Sequence, residues 1–130
     1  MRIYITSSLG DEKEEIERLC SIVRSAGLED FNFIRDYPEP FDDPRYLMEK
    51  SKEEIKKSDV LLIDVTNKPT GRAIEAGMAY SLGKKIIVIM KRGTEIKDTT
   101  RGIANKIIEY DVIEDIIPEL EEFLDNGNGQ

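Results

Sequence analysis

Glu75 is the acid whose surroundings set it apart. It lies in Gly71-Arg72-Ala73-Ile74-Glu75-Ala76-Gly77-Met78-Ala79-Tyr80-Ser81-Leu82, where Arg72 is the only other charge in a chain that is 35% charged. Ala73, Ala76, Gly77 and Ala79 allow neighbouring elements to come close, so this helix is expected to be largely buried. A buried carboxylate is costly unless something partners it. Two readings follow: a structural acid, paired with Arg72 at i,i+3 or held by the helix dipole, or a reacting group at the mouth of a cleft. The chain has no histidine, which removes the commonest general base, the Ser-His and Cys-His nucleophile pairs and the usual transition-metal ligand. Chemistry must rest on carboxylates, hydroxyls, Lys and Arg, and no metal or cofactor is expected.

Other polar positions cluster in loops. Asp64 closes the apolar run Val60-Leu61-Leu62-Ile63 and is a candidate general acid or hydroxyl ligand, or else a cap for the loop after it. Ser7, Ser8 and Gly10 follow the first strand; they bind a polar ligand through hydroxyls and backbone N–H groups, or they cap a helix. Lys97, Thr99, Thr100 and Arg101 make a small, partly basic polar loop. Tyr37, Phe41 and Tyr46 either stack on a flat ligand ring or pin a proline-rich loop to the core.

The stretch from Asp64 to Lys85 resembles the signature of the nucleoside 2-deoxyribosyltransferase superfamily, which includes the 2'-deoxynucleoside 5'-phosphate N-hydrolases. In that pattern a buried strand ends in an acid, a loop follows, and then comes G-x-x-x-E-x-G-x-A with Gly-Lys before the next strand. Gly71, Glu75, Gly77, Ala79, Gly83 and Lys84 fall on those positions. Arg2-Ile3-Tyr4-Ile5 is similar to the family's first strand, Ser8 matches a small polar residue in its first loop, and Thr100-Arg101-Gly102 with Tyr110 resembles a carboxyl-terminal pattern of its hydrolase branch.

The resemblance implies Glu75 as nucleophile with Tyr4 as its orienting donor. Asp64 is then the third catalytic candidate, and Ser7, Ser8, Gly10, Thr70, Gly71, Thr99 and Arg101 the substrate-binding ones, with the loop of Lys97, Thr99, Thr100 and Arg101 either meeting a 5'-phosphate, in a neighbouring subunit's site, or simply solvated. It implies cleavage of the N-glycosidic bond of a 2'-deoxynucleoside or its 5'-monophosphate, by hydrolysis or by transfer to a second base, through a glycosyl ester on Glu75. Three positions differ from the pattern. Ser51 stands where an Asp is expected to help protonate the departing base, with Glu49 two residues earlier. Pro69 replaces an Asp or Ser six residues before Glu75, with the Thr70 hydroxyl beside it. The first loop lacks an Arg. Ser51 and Pro69 favour the rival reading, a non-catalytic nucleotide-binding regulatory protein on the same scaffold. A phosphoacceptor receiver domain needs an acid pair after the first strand, which Thr6-Ser7-Ser8 does not supply.

The elements that must position these residues alternate. Strands are expected at Arg2 to Thr6, Phe31 to Ile34, Asp59 to Asp64, Lys85 to Met90 and Ile107 to Tyr110. Helices are expected at Asp11 to Ala26, Tyr46 to Lys57, Gly71 to Leu82, Thr99 to Lys106 and Ile113 to Leu124. Arg35 to Pro44, with three prolines, reads as a long non-helical loop. This order predicts an α/β fold, a flavodoxin-like three-layer sandwich with a mainly parallel five-stranded sheet, in which ligands bind outside the carboxyl ends of the strands. Residues 1–124 are expected to form one domain and 125–130 a flexible tail.

With 130 residues, 39% of them hydrophobic, the chain suits one packed core. The formal net charge of −8 argues against nucleic acid as a partner. Cys20, the single cysteine, sits on an apolar helical face and reads as a buried structural thiol in a reducing compartment. The start of the chain shows no basic-then-apolar leader and no run approaches the ~20 residues of a membrane span, so a cytoplasmic protein without membrane contact is expected. The partner is a small nucleoside or nucleotide. The weakly charged helix 71–82, or the helix 46–57, is expected to join a homodimer or larger homo-oligomer.

Overall fold

A computed structural model describes residues 1–7, 13–37, 43–67 and 70–127. Five strands, β1 (Arg2–Ile5), β2 (Glu29–Asn32), β3 (Val60–Asp64), β4 (Lys85–Lys91) and β5 (Lys106–Tyr110), form one sheet in the order β2-β1-β3-β4-β5. All four pairings are parallel. This is the doubly wound, flavodoxin-like arrangement, and the strand order reverses direction between β1 and β3.

Strict alternation along the strands sorts the core into two layers. Ile3, Ile5, Val60, Leu62, Ile87, Ile89 and Ile108 face α1 (Lys13–Ser25) and α6 (Ile117–Gly127), meeting Ile16, Cys20, Val23 and Leu120. Tyr4, Leu61, Ile63, Ile86, Val88 and Met90 face the other way, toward α3 (Pro44–Lys57), α4 (Thr70–Ser81) and α5 (Asp98–Ile103). Because both faces are covered, β3 and β4 are apolar at nearly every position. Cys20 is fully buried, and desolvation pushes its thiol up to about 11, so it is a protonated packing group.

Several boundaries differ from the sequence expectation. β2 ends at Asn32, and Phe33–Asp36 forms a short helix, α2, rather than the end of a strand. The cause is local: the Asn32 side chain accepts from the Arg35 amide at 3.0 Å and caps the turn. α3 begins at Pro44 rather than at Tyr46. Asp43 accepts from the Arg45 amide at 3.0 Å as the cap, and proline occupies the first helical turn, where its missing N–H is harmless. The final helix is preceded by a 3-10 turn, Ile113–Ile116, and continues to Gly127, past the expected start of the tail at residue 125. No helix among the described residues is long and apolar enough to cross a membrane.

The expectation that the helix 71–82 is largely buried does not hold within one chain. Glu75, Ala76 and Ala79 are buried, but Ile74 is 51% and Tyr80 56% exposed, and Ala73, Gly77 and Leu82 are exposed too. A Cβ added at Gly77 would meet nothing within 4 Å. The small residues therefore shape an open surface rather than a close contact inside this chain.

Candidate active site

The carboxyl ends of the parallel strands bring Ser7 and Asp64 to one edge, with α4 starting just beyond it. Glu75 lies in the second turn of α4 and is only 8% exposed. Its carboxylate receives the Tyr4 hydroxyl, from the middle of β1, and the Ser51 hydroxyl on α3, 2% exposed, is near enough to favour its ionised form. Burial raises the Glu75 carboxyl to about 7, against the opposing pull of the two hydroxyls and of the nearby Arg72 charge. Burial first, and the Glu75 charge second, push the Tyr4 phenol far above its ordinary range, so Tyr4 stays protonated as a donor. Arg72 turns Nη1 to the carbonyl of Asp64 at 3.0 Å, so its place is at the β3 edge rather than solely on Glu75.

Asp64 belongs to a second cluster. Its Oδ1 accepts from the Thr66 amide at 2.9 Å and the Thr66 hydroxyl at 2.6 Å, and its Oδ2 accepts from the Tyr110 hydroxyl. Thr66 Oγ1 in turn accepts from the Lys91 amide at 3.0 Å, so Asp64 ties together the ends of β3, β4 and β5. Both oxygens act as acceptors, the arrangement of a turn-forming aspartate and of a hydroxyl ligand.

Ser7 accepts from the Asn32 side-chain amide at 2.9 Å, and the same amide donates to the Ile5 carbonyl at 3.0 Å, which fixes the end of β1 against β2. Ser8, Gly10, Phe41 and Pro69 lie outside the described residues. Tyr37 stacks on Phe33 with centroids 4.7 Å apart and donates to Glu54 at 2.6 Å, while Tyr46 is half exposed on the first turn of α3. Lys84 donates to the Lys56 carbonyl at the end of α3 at 3.0 Å, and Gly83 ends α4 with a φ of 75°. The Gly-Lys part of the motif is thus architectural, a left-handed helix stop followed by a cap on the neighbouring helix.

Thr70 and Thr99 meet on a cavity of about 490 Å³ between α4 and α5, floored by Ile63, Val65 and Val88. Gly71 is exposed at the start of α4, and Arg101 is exposed on α5. This cavity is on the α5 flank of α4, whereas Glu75 meets Tyr4 and is near Ser51 on the α3 flank. Within one chain, then, the candidate nucleophile and the Thr99–Arg101 segment are on opposite sides of the same helix.

Sequence reasoning had marked Ser51 only as a departure and Tyr110 only as part of a pattern. Ser51 proves to be buried near Glu75, and Tyr110 donates directly to Asp64. The signal for Ser51 was a lone small hydroxyl on the inward face of α3, one turn before Ile55.

Fold and edge together define a flavodoxin-like α/β domain with a buried acid at the switch of strand order. No protein-family model matches the sequence, and no curated protein matches it. Among solved structures, the CMP N-glycosidase BcmB of Clostridium botulinum is similar at 23% identity and a TM-score of 0.71, over 94% of this chain and 99% of that one. A 2-deoxyribosyltransferase of Bacillus psychrosaccharolyticus is similar at 21% identity and 0.70, over 90% of each chain. A CheY-like receiver domain protein of Methanospirillum hungatei also superposes, at 17% identity and 0.60, over 99% and 98%. At these identities the likeness is one of fold, and the residues at the edge must separate the readings. In the described part of the edge, β1 is followed by Thr6 and Ser7 rather than by an acid pair.

Proposed function

We propose that this chain is an enzyme of the nucleoside 2-deoxyribosyltransferase superfamily, acting on the N-glycosidic bond of 2'-deoxynucleosides or their 5'-monophosphates. The observation that carries this reading is Glu75: an acid buried on α4, oriented by the Tyr4 hydroxyl and held close to neutrality. That the two similar structures are an N-glycosidase and a deoxyribosyltransferase supports it.

The ionised Glu75 attacks C1' of the sugar. A C1'–O ester bond forms as the C1'–N bond breaks, and the bonding pair leaves with the base, which takes a proton. Water or a second base then attacks C1', the ester bond breaks, and Glu75 regains its carboxylate; with water, one proton is released. Tyr4 keeps the carboxylate oriented, and its proton stays in place because its phenol is so weakly acidic. Asp64, an acceptor for three donors, serves as a sugar-hydroxyl ligand or as the brace of the strand ends. Ser7, Ser8, Gly10, Thr70 and Gly71 are the candidate ligands of the sugar and phosphate. Thr99 and Arg101, on the far flank of α4, serve the Glu75 of a second copy.

That arrangement requires a homodimer or larger assembly. Ile74, Tyr80, Leu82 and the open Gly77 on α4, with Tyr46 on the neighbouring α3, make the apolar face expected of its interface. We place the protein in the cytoplasm, in keeping with one buried, protonated cysteine.

The test is incubation with a mixture of deoxynucleosides and their monophosphates, with and without an acceptor base, and chromatography of the products. Free base without acceptor marks a hydrolase; a new nucleoside only with acceptor marks a transferase. Binding without release of any base favours instead the regulatory reading, which Ser51 in place of a carboxylic acid beside Glu75 motivates.

A further inference from the structure

We infer that Tyr110 is a positioning residue, whose hydroxyl holds Asp64 as a fixed acceptor for the 3'-hydroxyl of the substrate's sugar. The inference rests on the proposed action at 2'-deoxynucleosides or their 5'-monophosphates, and it assigns Asp64 to sugar recognition rather than to protonation of the departing base.

Its basis is a set of hydrogen bonds at the carboxyl ends of three strands. Asp64 ends β3, and Tyr110, the last residue of β5, reaches across β4 to donate to Asp64 Oδ2. The Thr66 amide and hydroxyl donate to Oδ1 at 2.9 and 2.6 Å, and Thr66 is itself fixed by the Lys91 amide at 3.0 Å. A carboxylate offers about four acceptor positions. Two are used on Oδ1 and one on Oδ2, so among the described residues one position on Oδ2 is open, on a side chain that is only partly buried. Every bond runs toward Asp64, so the group is arranged to receive a further donor and not to give a proton away. Burial, and then the bond to Asp64, push the Tyr110 phenol up to about 12, which keeps it a donor at neutral pH.

The place of that open position fits a sugar hydroxyl. β1 and β3 flank the switch in strand order, and their pairing runs from Ile5–Leu62 through the Thr6 amide, which donates to the Leu62 carbonyl at 3.0 Å. Continued by two residues, this register sets Ser7 opposite Asp64. Ser7 Oγ accepts from the Asn32 side-chain amide at 2.9 Å, and no bond among the described residues uses its own proton. An acceptor on Asp64 and a donor on Ser7 complement a hydroxyl, which gives one hydrogen and takes another. Arg72 donates to the Asp64 carbonyl at 3.0 Å and stands three residues before Glu75 on α4, so Asp64 and the proposed nucleophile are tied to the same edge. In a 2'-deoxynucleoside 5'-monophosphate the 5'-oxygen is esterified and the 2'-oxygen absent, which leaves the 3'-hydroxyl as the sugar's one donor. The phosphate itself would be repelled by an anionic acceptor. The Tyr110 ring packs in the core at 5% exposure, a task phenylalanine would also perform, and only its hydroxyl bears on Asp64.

The experiment is calorimetry on the Glu75→Gln protein, chosen to block turnover, with and without Tyr110→Phe. The probes are 2'-deoxynucleosides and their 5'-monophosphates, each measured against its 2',3'-dideoxy counterpart. Glu75→Gln alone should bind the 3'-hydroxylated probe about tenfold to a hundredfold more tightly than the dideoxy one, the scale of a hydrogen bond to a charged group. Tyr110→Phe should lose most of that ratio while leaving the affinity for the dideoxy probe unchanged. A ratio near one before Tyr110 is altered overturns the inference. So does an equal loss for both probes in Tyr110→Phe, the mark of a brace that only holds the strand ends. Should Tyr110→Phe fail to fold, Asp64→Asn must lower the ratio in the same way. Because binding needs no turnover, a hydroxyl preference lost in Tyr110→Phe, in a protein whose wild type releases no base, would refute the proposed function and leave the account of Tyr110 standing. Base release by a wild type with no such preference refutes the account of Tyr110 alone, and failure to bind any probe overturns both.

Discussion

Tyr4 and Glu75 are 71 positions apart in the chain, and the hydroxyl of one meets the carboxylate of the other in the interior. The strand that carries Tyr4 is paired with β3 through Ile3–Val60, Tyr4–Leu61 and Ile5–Leu62, and α4 returns over β3 and β4 to bring Glu75 above it. A one-residue slip of β1 would turn Tyr4 to the α1 face and separate the pair. The sheet register is therefore part of the site.

Tyr4→Phe removes this donor with almost no change in volume. Base release should fall by about a hundredfold to a thousandfold in kcat/KM, the scale of a lost positioned donor. The Glu75 midpoint should rise, since a hydrogen bond to its charged form is gone. Steady-state kinetics across pH check both effects, and an unchanged rate would leave Tyr4 as core packing.

The elevated Glu75 carboxyl gives a signed dependence on pH. Activity should rise as pH increases through about 7, because the nucleophile must be ionised. Stability should move the other way. The folded state holds the Glu75 proton to about 7, whereas the unfolded chain releases it near 4.5. This favourable contribution is full below pH 4.5 and is lost as pH rises to 7, by up to roughly 3 kcal/mol. Glu75→Gln removes that dependence, so its stability relative to the wild type should increase from pH 4.5 to pH 8, as read by denaturant unfolding.

The apolar face of α4 predicts self-association. Sedimentation at micromolar concentration should show a dimer or larger species, and Ile74→Glu should yield a 15 kDa monomer with its fold retained. If Thr99 and Arg101 serve the site of a second copy, that monomer should also lose base release. A monomeric wild type would remove this part of the proposal.

Arg101, exposed on α5, tests phosphate recognition. On the Glu75→Ala background, which prevents turnover, calorimetry should show that Arg101→Ala weakens a deoxynucleoside monophosphate by about 1.5–3 kcal/mol and barely affects the nucleoside. Added salt should narrow the difference. A wild-type preference for the unphosphorylated form would contradict it.

The parts of this account that could be read from sequence are those governed by short-range periodicity. Residues 60–63 and 86–90 are continuous apolar runs and lie in strands, and the spacing from Gly71 to Gly83 marks a helix and its stop. Phe33 and Ile34 were misread because a two-residue apolar pair fits either period, and the deciding feature was the Asn32 cap. Pro44 was read as a helix breaker, although behind Asp43 it is a helix opener. Burial of α4 was overestimated because low charge alone does not say whether a face meets its own chain or another. Ser51 and Tyr110 could not be placed near Glu75 and Asp64 from spacing, since that proximity depends on how helices and strands from distant segments are laid side by side.

The most direct measurement compares base release by the wild type and by Glu75→Gln over the same panel of deoxynucleosides and monophosphates, with unfolding curves to show that both are folded. The account predicts that the wild type releases base from at least one substrate and that the variant is slower by about a thousandfold or more, since removing a nucleophile deletes the covalent route. Near-wild-type release by Glu75→Gln, or no release by a wild type that binds a substrate, would contradict it.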